Sequence, residues 1–393
     1  MIVLRIVSPE NLCCPGRTRD DLAADVNRPR LTVNILTRDS EDRLERLLFE
    51  ASNYADQILV GVDTASVDET FEVAKQHADL VYRFEQSGQL APARMLPFEY
   101  ATGDWILSLD DDESMEPSFD GLLPELLSER YATHYWFPRK WIASIDPCER
   151  LDGPHWFPDW QLRLFRNDRT LVWKPARPHS GYRVQGPGYR EARACILHFE
   201  PLLCGPEARA RKRERYREMG ADPLADEQFA FGPDAPRLKA AVRPPSTARA
   251  RAVRGIVDAT VHRPRPLPAP WGSTIVRVDM PAMVRGGESF IAEVHARNSG
   301  SVAWAPFYGE RSAQIQLGSH LFDGEGRLIE WDLPRCPVLK FVAPGDTALF
   351  FCSPRAPATP GHYLLEWDFV SEGECWFAAC GSLVLRSPLE VAD

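Results

Sequence analysis

The stretch Trp105-Ile106-Leu107-Ser108-Leu109-Asp110-Asp111-Asp112-Glu113 runs an apolar segment straight into four carboxylates. A short apolar run without polar alternation suits a strand buried on both faces, as in a parallel sheet flanked by helices. Open α/β sheets bind ligands beyond the carboxyl ends of their strands, and Asp110 to Glu113 fall there. Adjacent like charges repel unless something neutralises them. A hard divalent cation that also bridges phosphate oxygens does so. A solvated acidic turn would carry the same letters, but the strand-end position and the small-residue approach Ala101-Thr102-Gly103-Asp104 favour a ligand.

Upstream, strand and helix patterns alternate. Leu31-Thr32-Val33-Asn34-Ile35-Leu36 reads as a buried strand, and Leu44, Leu47, Leu48 and Ala51 follow at helical spacing. Gln57 to Val62 is a second strand, Asp68 to Gln76 a second helix, Leu80-Val81-Tyr82 a third strand, and Ala91 to Tyr100 a further helix. The alternation predicts an α/β domain with a Rossmann-like, mostly parallel sheet covered on both faces. Asp63 closes the second strand much as Asp110 closes the fourth. Ser66 and Asp68 behind it suit a helix start, whereas Asp63 precedes that helix and fits a group facing the ligand crevice.

The 393 residues exceed one typical core. Residues 1–30, broken by Pro9, Pro15, Gly16 and Pro29, read as a poorly ordered lead-in, and residues 31–232 as the α/β domain. Residues 233–272 are a Pro/Arg-rich linker with Pro264, Pro266, Pro268 and Pro270, interrupted by a short helix near Ile256-Val257. Residues 273–393 hold only short β-rich runs between turn signals such as Gly286-Gly287 and Pro344-Gly345-Asp346, which predicts an all-β sandwich. Lys and Arg total 46 against 56 Asp and Glu, and the net charge of −10 argues against nucleic acid as the partner. Nine scattered cysteines without a CxxC read as free thiols of a reducing compartment. Neither a signal-peptide pattern nor an apolar run of ~20 residues is present, so a cytoplasmic location is expected.

Together these residues resemble family 2 glycosyltransferases of the GT-A fold. The likeness spans about residues 31–220 and is carried by Leu31 to Asp39 (LTVNILTRD), Ile58 to Asp68 (ILVGVDTASVD), and Ala93-Arg94 through the DXD-like Asp110-Asp111-Asp112. Trp156 to Arg166 (WFPDWQLRLFR) is similar to a block in bacterial members that build surface polysaccharide. The resemblance implies a nucleotide-sugar donor, a UDP-sugar foremost. Thr37 and Asp39 would line the base pocket, Asp63 would meet base or ribose, Arg94 would lie near the diphosphate, Asp110 near the ribose, and Asp112 would hold the metal. His198 stands where members often carry a metal-binding histidine. Imidazole suits Mn²⁺ better than Mg²⁺, and a packed core histidine is the other reading.

Transfer with inversion needs a carboxylate to take the acceptor proton. Asp159 is the candidate, set against simple pairing with Arg163 or Arg166. Glu191 and Glu200 stand in reserve, because His179-Ser180 occupies the place of a His-Glu in many relatives. The charged segment Glu207 to Met219 reads as a solvated helix, with an anionic membrane surface as its second reading. The C-terminal strands resemble immunoglobulin-like sandwiches appended to transferases of polysaccharide clusters; Trp304, Trp331, Trp367 and Trp376 are expected in the core, exposed Trp or Tyr could bind glycan, and carbohydrate recognition, protein recognition and a structural or homodimerising role stand as the alternatives.

The reading is an inverting, metal-dependent enzyme using Mn²⁺ or Mg²⁺. It would move sugar to a glycan or lipid-linked acceptor in cell-surface polysaccharide synthesis. A nucleotidyltransferase making nucleotide sugars would share the fold, but it would open on a Gly-rich phosphate loop that Thr37-Arg38-Asp39 lacks. A non-catalytic glycan binder with a degenerate transferase domain is the remaining class.

Overall fold

The structure is a computed structural model that describes residues 28–86, 93–174, 181–218, 228–240, 255–263, 269–307 and 314–393. Most of the expected lead-in, His179-Ser180, Met219, and the proline run from Pro264 to Pro268 lie outside the described residues.

The first unit opens with β1 (Leu31–Thr37), α1 (Leu44–Ala51), β2 (Gln57–Asp63), α2 (Thr70–His77) and β3 (Leu80–Phe84). A 3₁₀ turn at Ala93–Met95, α3 (Pro97–Tyr100), β4 (Trp105–Asp110), β5 (Glu113–Met115) and α4 (Ser118–Ser128) follow. Next come β6 (His134–Ile145), β7 (Cys148–Leu151), β8 (Asp159–Arg166), β9 (Val172–Trp173), β10 (Arg183–Val184), β11 (Gly188–Arg190) and β12 (Ile196–His198). The unit closes with α5 (Glu200–Leu203), α6 (Pro206–Glu218), β13 (Arg237–Lys239) and β14 (Ile256–His262).

The main sheet has the order β13-β7-β6-β8-β4-β1-β2-β3-β14. Its β4-β1-β2-β3-β14 half is parallel, whereas β8 runs antiparallel to both β4 and β6. All seven residues of β1 are buried. The core-facing Leu31, Val33 and Ile35 each contribute about 1.5–3 kcal/mol on burial. Leu44, Leu47, Leu48 and Ala51 close one face of the sheet through α1, as their spacing requires. Gly103 precedes β4 because a Cβ there would stand 2.6 Å from the Thr32 backbone nitrogen.

Two local expectations are corrected. Of the helix expected from Ala91 to Tyr100, residues 91–92 lie outside the described residues and 93–100 form a 3₁₀ turn and a separate single turn, since Pro97 has no N–H with which to continue the first. The helix expected near Ile256-Val257 is strand β14. The outer edge of β3 offers unpaired backbone groups, and the β-branched Ile256, Val257 and Val261 pair with it in parallel around a bulge between Asp258 and Val261. Tyr100 secures this strand: its hydroxyl lies 2.7 Å from Asp258 Oδ2 and 2.6 Å from His262 Nε2.

The second unit comprises β15 (Ser273–Asp279), β16 (Met283–Arg285), β17 (Ala292–Asn298), β18 (Ile315–Asp323) and β19 (Leu328–Glu330). It continues with β20 (Cys336–Pro337), β21 (Thr347–Cys352), β22 (Gly361–Ser371), β23 (Cys375–Trp376) and β24 (Leu385–Ala392). One sheet is β15-β17-β21; the other is β16-β24-β22-β18-β19, with β20 on β18 and β23 on β22. Val294, Ala296 and Phe350 from the first meet Leu317, Trp367 and Phe369 from the second in a single core.

Trp304 and Trp367 are core residues as expected, but Trp331 is 51% exposed and Trp376 half-buried. Trp331 follows the edge strand β19, all three residues of which are exposed. The units meet where Trp271 packs edge-on against Trp173 at 4.7 Å, Ala303 N donates to Thr170 O at 2.8 Å, and Arg183 faces Glu374 at 3.3 Å. No described helix is long and apolar enough to cross a membrane.

Candidate active site

Parallel register sets Leu36 opposite Asp110 and Thr37 opposite Val62. Thr37, Asp63 and Asp110 therefore share the carboxyl edge of the sheet, with Asp63 and Asp110 two strand spacings apart, roughly 10 Å.

The three aspartates that end and follow β4 have distinct surroundings. Asp110 accepts from Arg94 Nη2 at 2.5 Å and from Arg163 Nη2 at 2.8 Å. Burial raises its pKa, but those two guanidiniums prevail and hold it well below the usual carboxylate range. Asp111 turns back toward β1, accepting from Thr37 Oγ1 at 2.9 Å, from Ser40, and from Arg43 at 3.2 Å. It anchors the turn after β1, and burial keeps its pKa raised despite Arg43. Asp112 faces His198 Nε2 at 3.2 Å, and Glu200 lies 3.6 Å from the same nitrogen.

Asp112, His198 and Glu200 present ligand atoms within 4.8 Å of one another. The chain links them directly, since Phe199 N donates to Asp112 O at 2.8 Å. Trp141 stands edge-on to the imidazole at 4.4 Å, and Lys212 pairs with the far oxygen of Glu200 at 2.6 Å. His198 is buried, but its Nε2 faces two carboxylates rather than an apolar wall, unlike a packed core histidine. Two oxygens and one imidazole nitrogen form a donor set that a divalent cation fits. Burial raises Asp112, but His198 prevails and lowers its pKa.

Beside this lies a network that pairing across β6 and β8 creates. Alternation in β8 sends Asp159, Gln161 and Arg163 to one face, and β6 sends Arg139 and Trp141 to meet them. Arg163 grips buried Glu113 at 2.8 and 2.7 Å, and Arg139 touches it at 3.2 Å. Arg139 also pairs with Asp159 at 2.7 Å. Asp159 accepts from Trp141 Nε1 at 3.1 Å and Gln161 Nε2 at 2.7 Å as well. Its ion-pair partner is thus Arg139, not Arg163 or Arg166. Burial raises the Asp159 carboxyl, and Arg139 with these donors lowers it further than burial lifts it. One chain of contacts, Arg94–Asp110–Arg163–Glu113–Arg139–Asp159, ties the DXD-like turn to the candidate base.

Asp39, at φ 50°, spends its carboxylate on the turn after β2: it accepts from Val67 N at 2.9 Å, while Asp39 N donates to Ser66 Oγ at 2.9 Å. Asp63 is buried and accepts from Ala65 N at 3.0 Å, whereas its Oδ2 accepts no hydrogen bond among the described residues and faces Arg38 at 3.9 Å. Glu191 lies apart, held by Arg193, which also binds Glu125 of α4. Phe165 is core and Trp160 half-buried under Arg190 at 5.3 Å. Lys174 is buried nearby, its pKa pushed down to about 7 by burial and then by Arg94 and Arg183. Sequence reasoning missed Arg139, Trp141 and Lys174 as parts of the site. Glu200, a reserve base on sequence grounds, stands beside His198. An open cleft of about 480 Å³ lined by Trp271, Gly300 and Ser382 belongs to the second unit and none of these carboxylates lines it.

An open α/β sheet with charged side chains converging at the carboxyl edge of its parallel strands defines a ligand-binding α/β domain. Residues 32–185 match the family model described as glycosyl transferase family 2, so this segment is a family 2 glycosyltransferase domain. A TPR repeat-containing protein of Synechococcus elongatus is 30% identical over 86 residues, which cover 22% of this chain and 21% of that protein. The chain thus spans about a fifth of the length of the curated relative it matches. Among solved structures, S. aureus TarS aligns over 93% of this chain and 78% of its own at 10% identity, with a TM-score of 0.33. The CARDB domain of a Pyrococcus furiosus protein, in complex with di-metal ions, covers 29% of this chain and 84% of its own at 15% identity and a TM-score of 0.19.

Proposed function

We propose that this protein is an inverting, metal-dependent glycosyltransferase of cell-surface polysaccharide synthesis. It would take a nucleotide-diphosphate sugar, a UDP-sugar in the first instance, and a glycan or lipid-linked acceptor. One observation carries the reading: the Asp112–His198–Glu200 cluster adjoins the arginine-braced Asp110 at the sheet edge, in and beside the segment that matches the family.

In this reading Asp63 Oδ2 takes a hydrogen bond from base or ribose, and Thr37 and Asp39 shape the base pocket through the turns they hold. Asp110 orients the ribose, and Arg94 meets the diphosphate. Asp112 and His198, with Glu200, would hold Mn²⁺ or Mg²⁺, which when bound neutralises charge on the departing diphosphate. Asp159, ionised at neutral pH, takes the acceptor hydroxyl proton. Arg139 keeps that carboxylate in position and couples it to Glu113. Residues 31–232 form the transferase domain together with β13 and β14, two strands that its sheet takes from the segment 233–272 otherwise read as the linker, and 273–393 form an immunoglobulin-like sandwich. The protein works in the cytoplasm, with peripheral membrane contact through α6 and self-association through the sandwich as further elements of the proposal.

The test is metal-dependent hydrolysis or transfer with the purified chain across UDP-, GDP- and dTDP-sugars. Turnover that needs Mn²⁺ and is lost in Asp112→Asn supports the reading. Neither donor binding nor turnover with any of them overturns it in favour of a glycan-binding protein.

A further inference from the structure

Alternation along β18 and β22 sends Leu317, Leu321, Leu365 and Phe369 into the shared core. It sends Gly318, His320, Glu366 and Asp368 to the outer face of that sheet. Polar groups on an outer face are ordinarily wet, yet His320 is 1% exposed. Trp331 lies flat on it, centroids 4.0 Å apart at 18°, and Trp376 leans against it at 4.5 Å. The Trp331 carbonyl accepts a hydrogen bond from His320 Nδ1, which ties the ring to the segment that covers it. Trp376 is seated on Gly318, where any Cβ would come within 2.8 Å of the indole. Arg335 stands 5.1 Å over Trp376, gripped by Asp332 at 2.9 and 2.7 Å and by Glu372.

With one face of its indole covered by His320, the half-exposed Trp331 presents the other face outward. A large apolar ring is thus held flat and rigid at the surface, so a ligand that stacks on it loses little additional side-chain entropy. Pyranose sugars present a C–H face bordered by hydroxyls. Such a ring can lie on Trp331 while its hydroxyls reach the Asp332–Arg335 fork, which offers acceptors and donors together. Leu328 and Ile329 on β19 are exposed beside it, as a protein partner would require. Charged residues, however, are depleted from the centres of protein interfaces, and here Glu330 and Asp332 flank Trp331 in sequence while Arg335, paired with Asp332 and Glu372, stands over the adjoining Trp376.

We propose that Trp331, backed by His320 and Trp376 and edged by Asp332 and Arg335, is a saccharide-binding platform separate from the transferase site. That it holds the glycan being extended rests on the proposed function; that it binds saccharide does not. Tethered in one chain with the transferase, it would raise the local acceptor concentration.

The full chain is run through native gels containing dextran, mannan or hyaluronan, and titrated with chitohexaose while indole fluorescence is read. Retardation or quenching by at least one of these is expected. Trp331→Ala should weaken it about tenfold or more while keeping a native circular dichroism spectrum and a cooperative unfolding transition, and Asp112→Asn should leave it intact. No interaction with any of the four saccharides overturns the proposal, as does an unaffected Trp331→Ala variant. If wild type self-associates in sedimentation velocity and Trp331→Ala disperses it without any saccharide effect, the face is a protein interface and the proposal fails. Retention of saccharide binding by a chain without transferase turnover would leave the platform standing while the proposed function falls.

Discussion

Arg163 occupies the centre of the ion network, and its replacement by methionine removes the charge while keeping much of the packing volume. Its side chain is 7% exposed and donates to Glu113 at 2.8 and 2.7 Å and to Asp110 at 2.8 Å. After the substitution Glu113 retains Arg139 at 3.2 Å, and Asp110 retains Arg94 at 2.5 Å. Breaking a buried pair by removing one partner costs about 3–5 kcal/mol. Because each carboxylate keeps one cation, the low end, ~3 kcal/mol at pH 7, is expected. Urea unfolding followed by near-ultraviolet circular dichroism reads it.

The pH dependence gives a second handle on the same variant. Burial raises Asp110, but Arg94 and Arg163 hold it far down, so the native state binds fewer protons there than the unfolded chain. That stabilisation is full above the unfolded carboxylate pKa of about 4 and is lost as pH falls toward the folded value. The deficit of Arg163→Met should therefore be constant near neutrality and shrink below about pH 4. Adding Glu113→Gln should recover part of the loss, since one orphaned charge disappears. A loss under about 1 kcal/mol at pH 7 would refute a buried, mutually dependent network.

Tyr100→Phe removes the hydroxyl beside Asp258 and His262 and should speed hydrogen exchange in residues 256–262 about tenfold, a loss of roughly 1–1.5 kcal/mol; unchanged exchange would show that β14 does not depend on it. Burial pushes the His134 imidazole down to about 4, so the fold refuses a proton that the unfolded chain accepts near pH 6.5. Stability should fall by about 3 kcal/mol between pH 7 and 4 from this group, and His134→Gln should flatten that slope in urea midpoints. The Asp159 carboxyl lies below the ordinary range, so a transfer-rate profile should show no acidic limb from it between about pH 5 and 8. A limb near pH 6 that disappears in Glu200→Gln would move the base assignment to Glu200.

The parallel half of the fold was legible because β1, β2 and β4 are short runs dominated by apolar residues, and the helix between the first two repeats leucine at helical spacing. Asp63, Asp110 and Asp112 were legible for the same reason: a strand's carboxyl end fixes where its next residue stands. The Arg139–Asp159 pair was not, because it depends on which residue of β6 faces which residue of β8, and register across an antiparallel pair is a tertiary fact. The period-two placement of Asp159, Gln161 and Arg163 was the available signal. Ile256-Val257 was misread because its proline- and arginine-rich surroundings hide a strand that only an open neighbouring edge explains. Trp331 and Trp304 look alike in sequence; an edge strand leaves one outside and the sandwich core takes the other.

The decisive property of the site is whether a cation at Asp112 and His198 grips a nucleoside diphosphate. Titration calorimetry of the purified chain with UDP, with and without Mn²⁺, measures this. UDP should bind in the presence of Mn²⁺, and binding should fall at least about tenfold without the metal or in either Asp112→Asn or His198→Ala. Binding of UDP with equal affinity in all these conditions would contradict it.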